Sequence, residues 1–328
     1  MCFKHSLSIV SLALISLGWT TGAMAAEEAP PARNQLISAV EKSLPVIEIS
    51  GVAWWENRKC LSCHTVTFTI WAHQAAQHAG LTVDREKLDL WKAWQVEELA
   101  KPNPGLETFG QILLTTLYDP QPSPELWEKV PPMLLKMQEA NGSWKAGGQL
   151  PRQNRPAAES NEVSAWWSLL ALASTPDGRQ QSATALEKTR DWLKTAQEPT
   201  TVETLIVRAL AQQRFAPESD GKPAVQKLLS HQLPDGGWGW KLTDTHSNPL
   251  STGQVLYALS QLAPNSPAIA PAQRWLLSAQ QADGSWPTDG AIFSSRPPAQ
   301  HARIAPIYLH WGTAWATLGL LHTLPPGH

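Results

Sequence analysis

The amino-acid sequence predicts an all-α protein, built as an α/α toroid of six concentric outer–inner helix pairs. Two observations lead to this fold class: a short motif repeats along the chain, and two kinds of helical segment alternate around it. A third excludes a β fold, because the buried segments run for about 10 to 14 residues at helical period, too long for ordinary strands. An open helical solenoid is the alternative, and the apolar inner segments favour the closed ring.

The repeated motif is Gln-x-x-x-Gly-x-Trp, and each copy follows a short apolar run. Its three copies are QEANGSW (138–144), QLPDGGW (232–238) and QQADGSW (280–286). A fourth unit is degenerate: WLKTAQ at 192–197 matches WLLSAQ at 275–280, but its Gly-Trp turn is missing. A repeated motif of this kind indicates an array of equivalent helical units.

Each motif separates an amphipathic segment from an apolar one. The amphipathic segments are PELWEKVPPMLLKMQ, SATALEKTRDWLKTAQ, PAVQKLLSHQ and APAQRWLLSAQ; the apolar segments that follow are NEVSAWWSLLALAS, TTVETLIVRALAQQ, STGQVLYALSQLA and HWGTAWATLGLLHTL. Two weaker units precede them, REKLDLWKAWQVEELA with ETFGQILLTTLY, and ARNQLISAVEKSL with TFTIWAHQAAQHAG. The amphipathic segments are predicted to form the outer helices, and the six pairs are enough to close a ring.

The three motifs resemble the QW motifs of squalene and oxidosqualene cyclases, over roughly residues 85–323. The resemblance implies an α/α toroid in which the Gln caps and the Trp packs at the turn between an outer and an inner helix. It does not extend to activity, because the Asp-x-Asp-Asp acid motif of the triterpene cyclases is absent: Asp244 and Asp289 stand alone, and Asp235 and Asp283 belong to turns. A terpenoid-type cyclase is therefore disfavoured.

The N-terminus predicts export. Residues 1–25 have Lys4 and His5, then a mostly apolar run, then Ala23-Met24-Ala25, a pattern typical of a cleaved signal peptide. The mature chain, 26–328, is predicted to be a single toroid domain in the periplasm without a membrane span. An uncleaved N-terminal anchor is the alternative. A formal charge of −2 and the lack of a basic run argue against nucleic acid as a partner.

Cys60-Leu-Ser-Cys63-His64 is the strongest chemical signal in the sequence. It resembles the attachment site of c-type cytochromes, in which two thiols bind the porphyrin covalently and the adjacent His64 binds the iron. The expectation is one covalent haem c on an attachment loop at 58–66. A Cys60–Cys63 disulfide and a zinc half-site are the alternatives, and zinc lacks further ligands.

The starts of the inner helices carry polar side chains that would surround the mouth of an apolar cavity. They are Glu162, Glu203, Thr252, Gln254, Trp311 and Thr313. Such a ring is typical of a ligand site, although Thr and Glu also favour helix N-termini for structural reasons. For the second axial position on iron, His310 is the candidate, His246 is a weaker one, and an open site is equally compatible with the sequence.

These expectations combine into an exported haem protein with electron-transfer or oxidoreductase activity, its haem at the mouth of the toroid cavity. Its partner would be a periplasmic redox protein or a small hydrophobic ligand. The alternative is a non-redox ligand-binding or lyase-like toroid with CLSCH as a disulfide. The sequence assigns no catalytic residue.

Overall fold

The computed structural model describes residues 29–101, 105–148, 150–176, 178–216, 222–289 and 296–325. The predicted signal peptide, 1–25, therefore lies outside the described residues. The described chain forms twelve α-helices: α1 Arg33–Arg58, α2 Thr67–His78, α3 Arg85–Leu99, α4 Leu106–Thr115, α5 Pro124–Lys136, α6 Ala157–Ala173, α7 Gly178–Leu193, α8 Val202–Phe215, α9 Lys222–Leu229, α10 Pro249–Leu262, α11 Ile269–Ala279 and α12 His301–His322.

The even-numbered helices form a closed inner ring. Each packs against the next from α2 to α12, and α12 packs against both α2 and α1, which closes the circle. The inner helices are buried on nearly all sides; in α2, for example, every residue from 67 to 76 is buried. The odd-numbered helices are amphipathic and form the outer layer. The prediction of an all-α toroid with six outer–inner pairs is confirmed for the part of the chain that is described.

The tryptophan of each repeated motif is a buried anchor of its turn. Trp144, Trp238 and Trp286 are fully buried. Each indole N–H donates to a leucine carbonyl near the end of its own outer helix: Leu134 at 3.0 Å, Leu228 at 3.0 Å and Leu276 at 2.8 Å. Burial of a large ring together with a satisfied N–H explains why Trp recurs at this position.

The glutamine of each motif joins neighbouring outer helices. Gln138 at the end of α5 donates to the carbonyl of Ala185 in α7, and Gln232 after α9 donates to Ala268 at the start of α11. Gln280 after α11 donates to Ala39 in α1 at 2.8 Å. The degenerate unit at Gln197 has an exposed residue at this place.

The motif glycine is required by both backbone geometry and space. Gly284 has a φ of +89°, and a Cβ there would lie 2.1 Å from the carbonyl oxygen of Lys42 in α1. Gly142 is in the same situation against α7, with a φ of +86°. Only glycine adopts this conformation and also allows such a close approach of two outer helices.

Two helix boundaries differ from the sequence prediction. α1 continues through Pro45 to Arg58, and Ser62–Val66 forms a π-helical turn that leads directly into α2, so only residues 59–61 connect the first pair. α12 begins at His301, whereas the predicted inner segment starts only at His310. His310 is therefore in the third turn of α12 rather than at its N-terminus. No helix among the described residues is long and apolar enough to cross a membrane.

Candidate active site

A narrow cavity lies on the axis of the toroid, between the N-terminal parts of the inner helices. Residues of α2, α4, α6, α8 and α12 line it: Phe68, Trp71, Leu106, Glu107, Gly110, Gln111, Leu114, Ser164, Trp167, Ser168, Glu203, Trp311 and Trp315. Its volume is about 40 Å³, room for two or three water molecules. Two carboxylates within an aromatic wall make this cavity the candidate active site.

Glu107 lies in the first turn of α4, and only one of its two carboxyl oxygens accepts hydrogen bonds from the described residues. Its Oε1 accepts the backbone N–H of Gly147 at 2.8 Å and the hydroxyl of Ser164 at 2.9 Å. Its Oε2 is buried and has no hydrogen-bond partner among the described residues. Burial raises the pKa of this carboxyl, against the opposing effect of its hydrogen bonds and of Arg155. Glu107 can therefore carry a proton where an exposed glutamate would not.

Glu203 occupies the first turn of α8 in a different environment. Its Oε2 forms a buried ion pair with Arg155 Nη1 at 2.7 Å. Its Oε1 accepts the indole N–H of Trp167 at 3.3 Å and the side-chain amide of Gln254 at 3.2 Å. The cavity thus joins a carboxyl whose pKa is raised by burial to a carboxylate that has a cationic partner. Pairs of this kind are typical of acid–base catalysis.

The aromatic wall also offers unused hydrogen-bond donors. The indole nitrogens of Trp71, Trp311 and Trp315 are buried, and they find no partner within the described part of the chain. Buried donors are normally satisfied by protein, water or ligand. Three indole N–H groups and the free oxygen of Glu107 therefore make the cavity suited to a neutral molecule rich in oxygen acceptors.

The segment between α5 and α6 links α6 to the two carboxyl groups of the cavity. The backbone of Ala146 donates to the side chain of Asn161 at 2.9 Å, Gly147 donates to Glu107, and Arg155 pairs with Glu203. The same segment thus contacts both carboxylates.

The predicted rim residues separate into two groups. Glu203, Gln254 and Trp311 belong to the cavity or bond to it. Thr252 and Thr313 instead accept the backbone N–H of Trp238 and Trp286, at 3.0 and 3.1 Å, and so fix the motif turns onto the inner helices.

Glu162 lies away from the cavity and pairs with Arg208, at 2.6 Å between Oε1 and Nε. Glu162, Thr252 and Thr313 therefore have structural roles, the alternative that the sequence left open for Thr and Glu near helix N-termini, and do not line the axial cavity.

The CLSCH motif lies beside the rim, where α1 meets the π-helical turn. The Cys60 thiol is half-buried and accepts the indole N–H of Trp54 at 3.4 Å. The side chain of Cys63 lies outside what the structure describes. His64 is buried, with the edge of Trp54 packed at 4.9 Å between ring centroids. Burial, and then the charge of His310, lower the pKa of His64 to about 3.

As arranged, these residues do not fit a porphyrin. Iron ligation needs an open approach to His64 Nε2, and this atom is enclosed in the core. A porphyrin bound there would require the neighbouring Trp54 to move. Haem c on Cys60, Cys63 and His64 stays a prediction of the motif alone, which the intact mass of the exported protein would test.

The two candidates for the second iron ligand are not placed for that role either. His310 Nδ1 lies 2.6 Å from the hydroxyl of Ser50, and its Nε2 lies 3.0 Å from the carbonyl oxygen of Thr65, so both ring nitrogens are engaged. His246 is exposed in the loop before α10, with Nδ1 3.0 Å from the hydroxyl of Thr245. No group of three or more His, Cys, Asp or Glu side chains within the described ranges could hold a metal ion.

The sequence prediction missed Glu107, Arg155 and Ser164. The signal for Glu107 was present, because it is an acidic residue at the start of the otherwise apolar segment ETFGQILLTTLY. Arg155 carried no comparable signal, since its contact with Glu203 joins positions 48 residues apart.

Comparison with known proteins supports the fold. No family model matches the sequence, and no curated protein matches it. A possible member of the GH105 family from Salmonella enterica serovar Paratyphi A is 14% identical, with a TM-score of 0.58 over 90% of this chain and 95% of that chain. A possible GH105 member from Klebsiella pneumoniae is 13% identical, with a TM-score of 0.56 over 90% of this chain and 94% of that chain. A wild-type glycosidase is 12% identical, with a TM-score of 0.57 over 89% of this chain and 98% of that chain.

These comparisons correct the functional expectation. The similar solved structures are glycosidases and possible GH105 members, so the predicted electron-transfer or oxidoreductase function of a haem protein is wrong. The lyase-like or ligand-binding toroid and the terpenoid-type cyclase do not match them either. The resemblance to squalene cyclases holds only at the level of the all-α toroid.

Proposed function

We propose that this protein hydrolyses a glycoside at the axial cavity, with Glu107 and Glu203 as the two working carboxyl groups. The observation that carries the proposal is the contrast between these residues: the pKa of Glu107 is raised by burial and one of its oxygens has no hydrogen-bond partner among the described residues, whereas Glu203 is ion-paired. The solved glycosidases with this toroid support the same reaction class.

The chemistry assigns a different role to each carboxyl group. Glu107 gives its proton to the glycosidic oxygen as the bond to the anomeric carbon breaks. A water molecule forms the new bond to that carbon, and Glu203 accepts the proton that this water releases. The products are a free sugar and an alcohol, and proton exchange with solvent returns both carboxyl groups to their starting states.

The aromatic wall suits a saccharide. A sugar ring has apolar C–H faces, which pack on aromatic rings, and hydroxyl oxygens, which accept hydrogen bonds from indole N–H groups. Trp71, Trp311 and Trp315 supply both kinds of contact. The arrangement therefore favours a neutral sugar at the position nearest Glu107.

Substrate entry requires the cavity to widen. A cavity of about 40 Å³ is far smaller than the usual ligand pocket of roughly 300 Å³ or more. Displacement of Gly147 and Arg155 would release Glu107 and Glu203 together. Both carboxyl groups would then lose their contacts with Gly147 and Arg155 and would contact the substrate instead.

A hydrolysis assay tests the proposal. The purified protein is incubated with a panel of 4-nitrophenyl glycosides and of oligosaccharides, and the released nitrophenol and reducing ends are measured. Glu107→Gln should reduce kcat by about 100-fold or more, because it removes the transferable proton and preserves the shape. Glu162→Gln is the matched control, a buried carboxylate on α6 that lies away from the cavity, and should retain activity. Absence of hydrolysis throughout the panel by a folded protein, or equal rates for Glu107→Gln and wild type, would refute it.

Export to the periplasm is part of the proposal. It rests on residues 1–25, whose pattern predicts a cleaved signal peptide. Cell fractionation and the N-terminal mass of the mature protein test it. A protein that keeps Met1 and stays in the cytoplasm would contradict it.

A further inference from the structure

The opposite end of the toroid has a wider cleft than the axial cavity. It is formed where the inner helices α4, α6, α8 and α10 end, and its volume is about 520 Å³. This value lies within the range of roughly 300–1,000 Å³ that is common for small-molecule sites. Leu117 at its edge is 44% exposed, although it is a large apolar side chain.

The walls of this cleft are mainly apolar. Leu114, Leu117, Leu170 and Leu210 line it together with Trp167 and Tyr257. Polar groups are confined to its edge, where the side chain of Gln213 donates to the carbonyl of Gln261. An apolar hollow with a polar edge is the environment that an amphiphile requires.

The edge has a positive charge. Among the described residues that line the cleft, Arg214 has the only ionisable cation, and none of them is acidic. Its Nη2 donates to the carbonyl of Ala173 at the end of α6, which holds the guanidinium beside the apolar wall. Arginine at such a position suits a carboxylate.

An aromatic layer separates the cleft from the candidate active site. Trp167 and Leu114 line both spaces. Tyr257, on the cleft side, packs edge-on against Trp315, on the cavity side, with ring centroids 5.7 Å apart. The cleft is therefore a second space with its own entrance rather than an extension of the axial cavity.

We propose that the cleft binds the apolar chain of a free fatty acid, with the fatty-acid carboxylate at Arg214. The size of the cleft, its leucine lining and the lone arginine at its edge support this ligand class. The inference does not depend on glycoside hydrolysis, because it uses neither Glu107 nor Glu203.

Isothermal titration calorimetry with decanoate, octanoate, hexanoate and decanol tests the proposal on the full mature chain. Affinity should rise about fourfold per methylene from hexanoate to decanoate, the increment expected for burying one CH₂ group. Decanoate should bind more tightly than decanol. Arg214→Gln should remove that preference, whereas Leu170→Gln should weaken both ligands by about tenfold.

Two control variants keep the result interpretable. Leu90→Gln changes an exposed leucine on the outer helix α3, and Arg190→Gln changes an exposed arginine on α7; neither should alter binding. Leu117→Gln, at the exposed edge of the cleft, provides a second test if Leu170→Gln does not fold. An affinity independent of chain length, or equal losses in the cleft variants and the controls, would overturn the proposal.

The titrations and the hydrolysis assay together separate this inference from the proposed function. Binding that follows chain length in a protein without hydrolase activity would support the fatty-acid site and reject glycoside hydrolysis. Hydrolysis without fatty-acid binding would support glycoside hydrolysis and reject the fatty-acid site.

Discussion

The side-chain amide of Gln280 donates to the backbone carbonyl of Ala39, a residue 241 positions earlier in the chain. This hydrogen bond joins the last outer helix, α11, to the first, α1. The amide also bonds to the carbonyl of Gly284 in its own turn, at 3.0 Å. One side chain thus connects the turn that precedes α12 with the helix that begins the ring.

Gln280→Ala should lower the free energy of unfolding by about 1–3 kcal/mol, because two backbone carbonyls lose their donor. Urea denaturation followed by circular dichroism measures the change. Gln197→Ala is the matched control, since this exposed glutamine occupies the equivalent position in the degenerate unit. It should cost less than about 0.5 kcal/mol. Equal losses would show that the closing contact does not stabilise the ring.

The toroid could be predicted from the sequence because its determinants are local. The Gln, Gly and Trp of each motif act within one turn and its neighbouring outer helix, so their spacing alone reports the geometry. Gly284 illustrates this, since its positive φ is a property of the turn itself, whereas its close approach to Lys42 depends on the closed ring. The helical periodicity of the amphipathic and apolar segments predicted the outer and inner helices.

The candidate site could be predicted only in part. Glu203, Gln254 and Trp311 were found because they lie near the predicted starts of apolar segments, although Trp311 is in the middle of α12. Glu107 acquires its character from Gly147 and Ser164, 40 and 57 residues away, and no local pattern reports such contacts. His310 was predicted to open its inner helix, whereas α12 begins at His301 and continues through Pro306.

Arg155→Met should destabilise the protein by about 3–5 kcal/mol, because it leaves the buried carboxylate of Glu203 without its cationic partner. The double variant Arg155→Met/Glu203→Gln should recover part of this loss, since no unpaired charge then remains. Arg208→Met provides the comparison. Its partner Glu162 is buried but the Arg208 side chain is 29% exposed, so solvent replaces more of the lost interaction. Chemical denaturation of the four proteins measures the series, and a double variant less stable than Arg155→Met would contradict the interpretation.

His322 should make the protein sensitive to mild acid. Burial, and then the charge of His78, lower its folded-state pKa to about 4, from 6.5 in the unfolded chain. Between these values the unfolded chain binds more protons, so stability falls as the pH decreases below about 6.5. At pH 5.5 the loss from this residue is about 1.4 kcal/mol or less.

His322→Gln should flatten that part of the profile of unfolding free energy against pH. His246→Gln, at an exposed histidine, controls for the exchange of histidine for glutamine. Parallel profiles for wild type and His322→Gln would show that His322 is not buried in its neutral form.

Glu107 should give the opposite pH dependence. Because burial raises its folded-state pKa above the unfolded value of 4.5, the native protein binds more protons than the unfolded chain between the two values. The contribution of Glu107 to stability is therefore fully present below 4.5 and is lost as the pH rises through its folded value. Glu107→Gln cannot ionise, so the difference in unfolding free energy, variant minus wild type, should increase with pH over this window. Denaturation at a series of pH values measures it. Since the same proton is the one that a glycosidic oxygen would receive, kcat of the wild type should decline over the same window. A stability difference that stays constant with pH would show that Glu107 is ionised in the native protein, and would remove the acid from the proposed reaction.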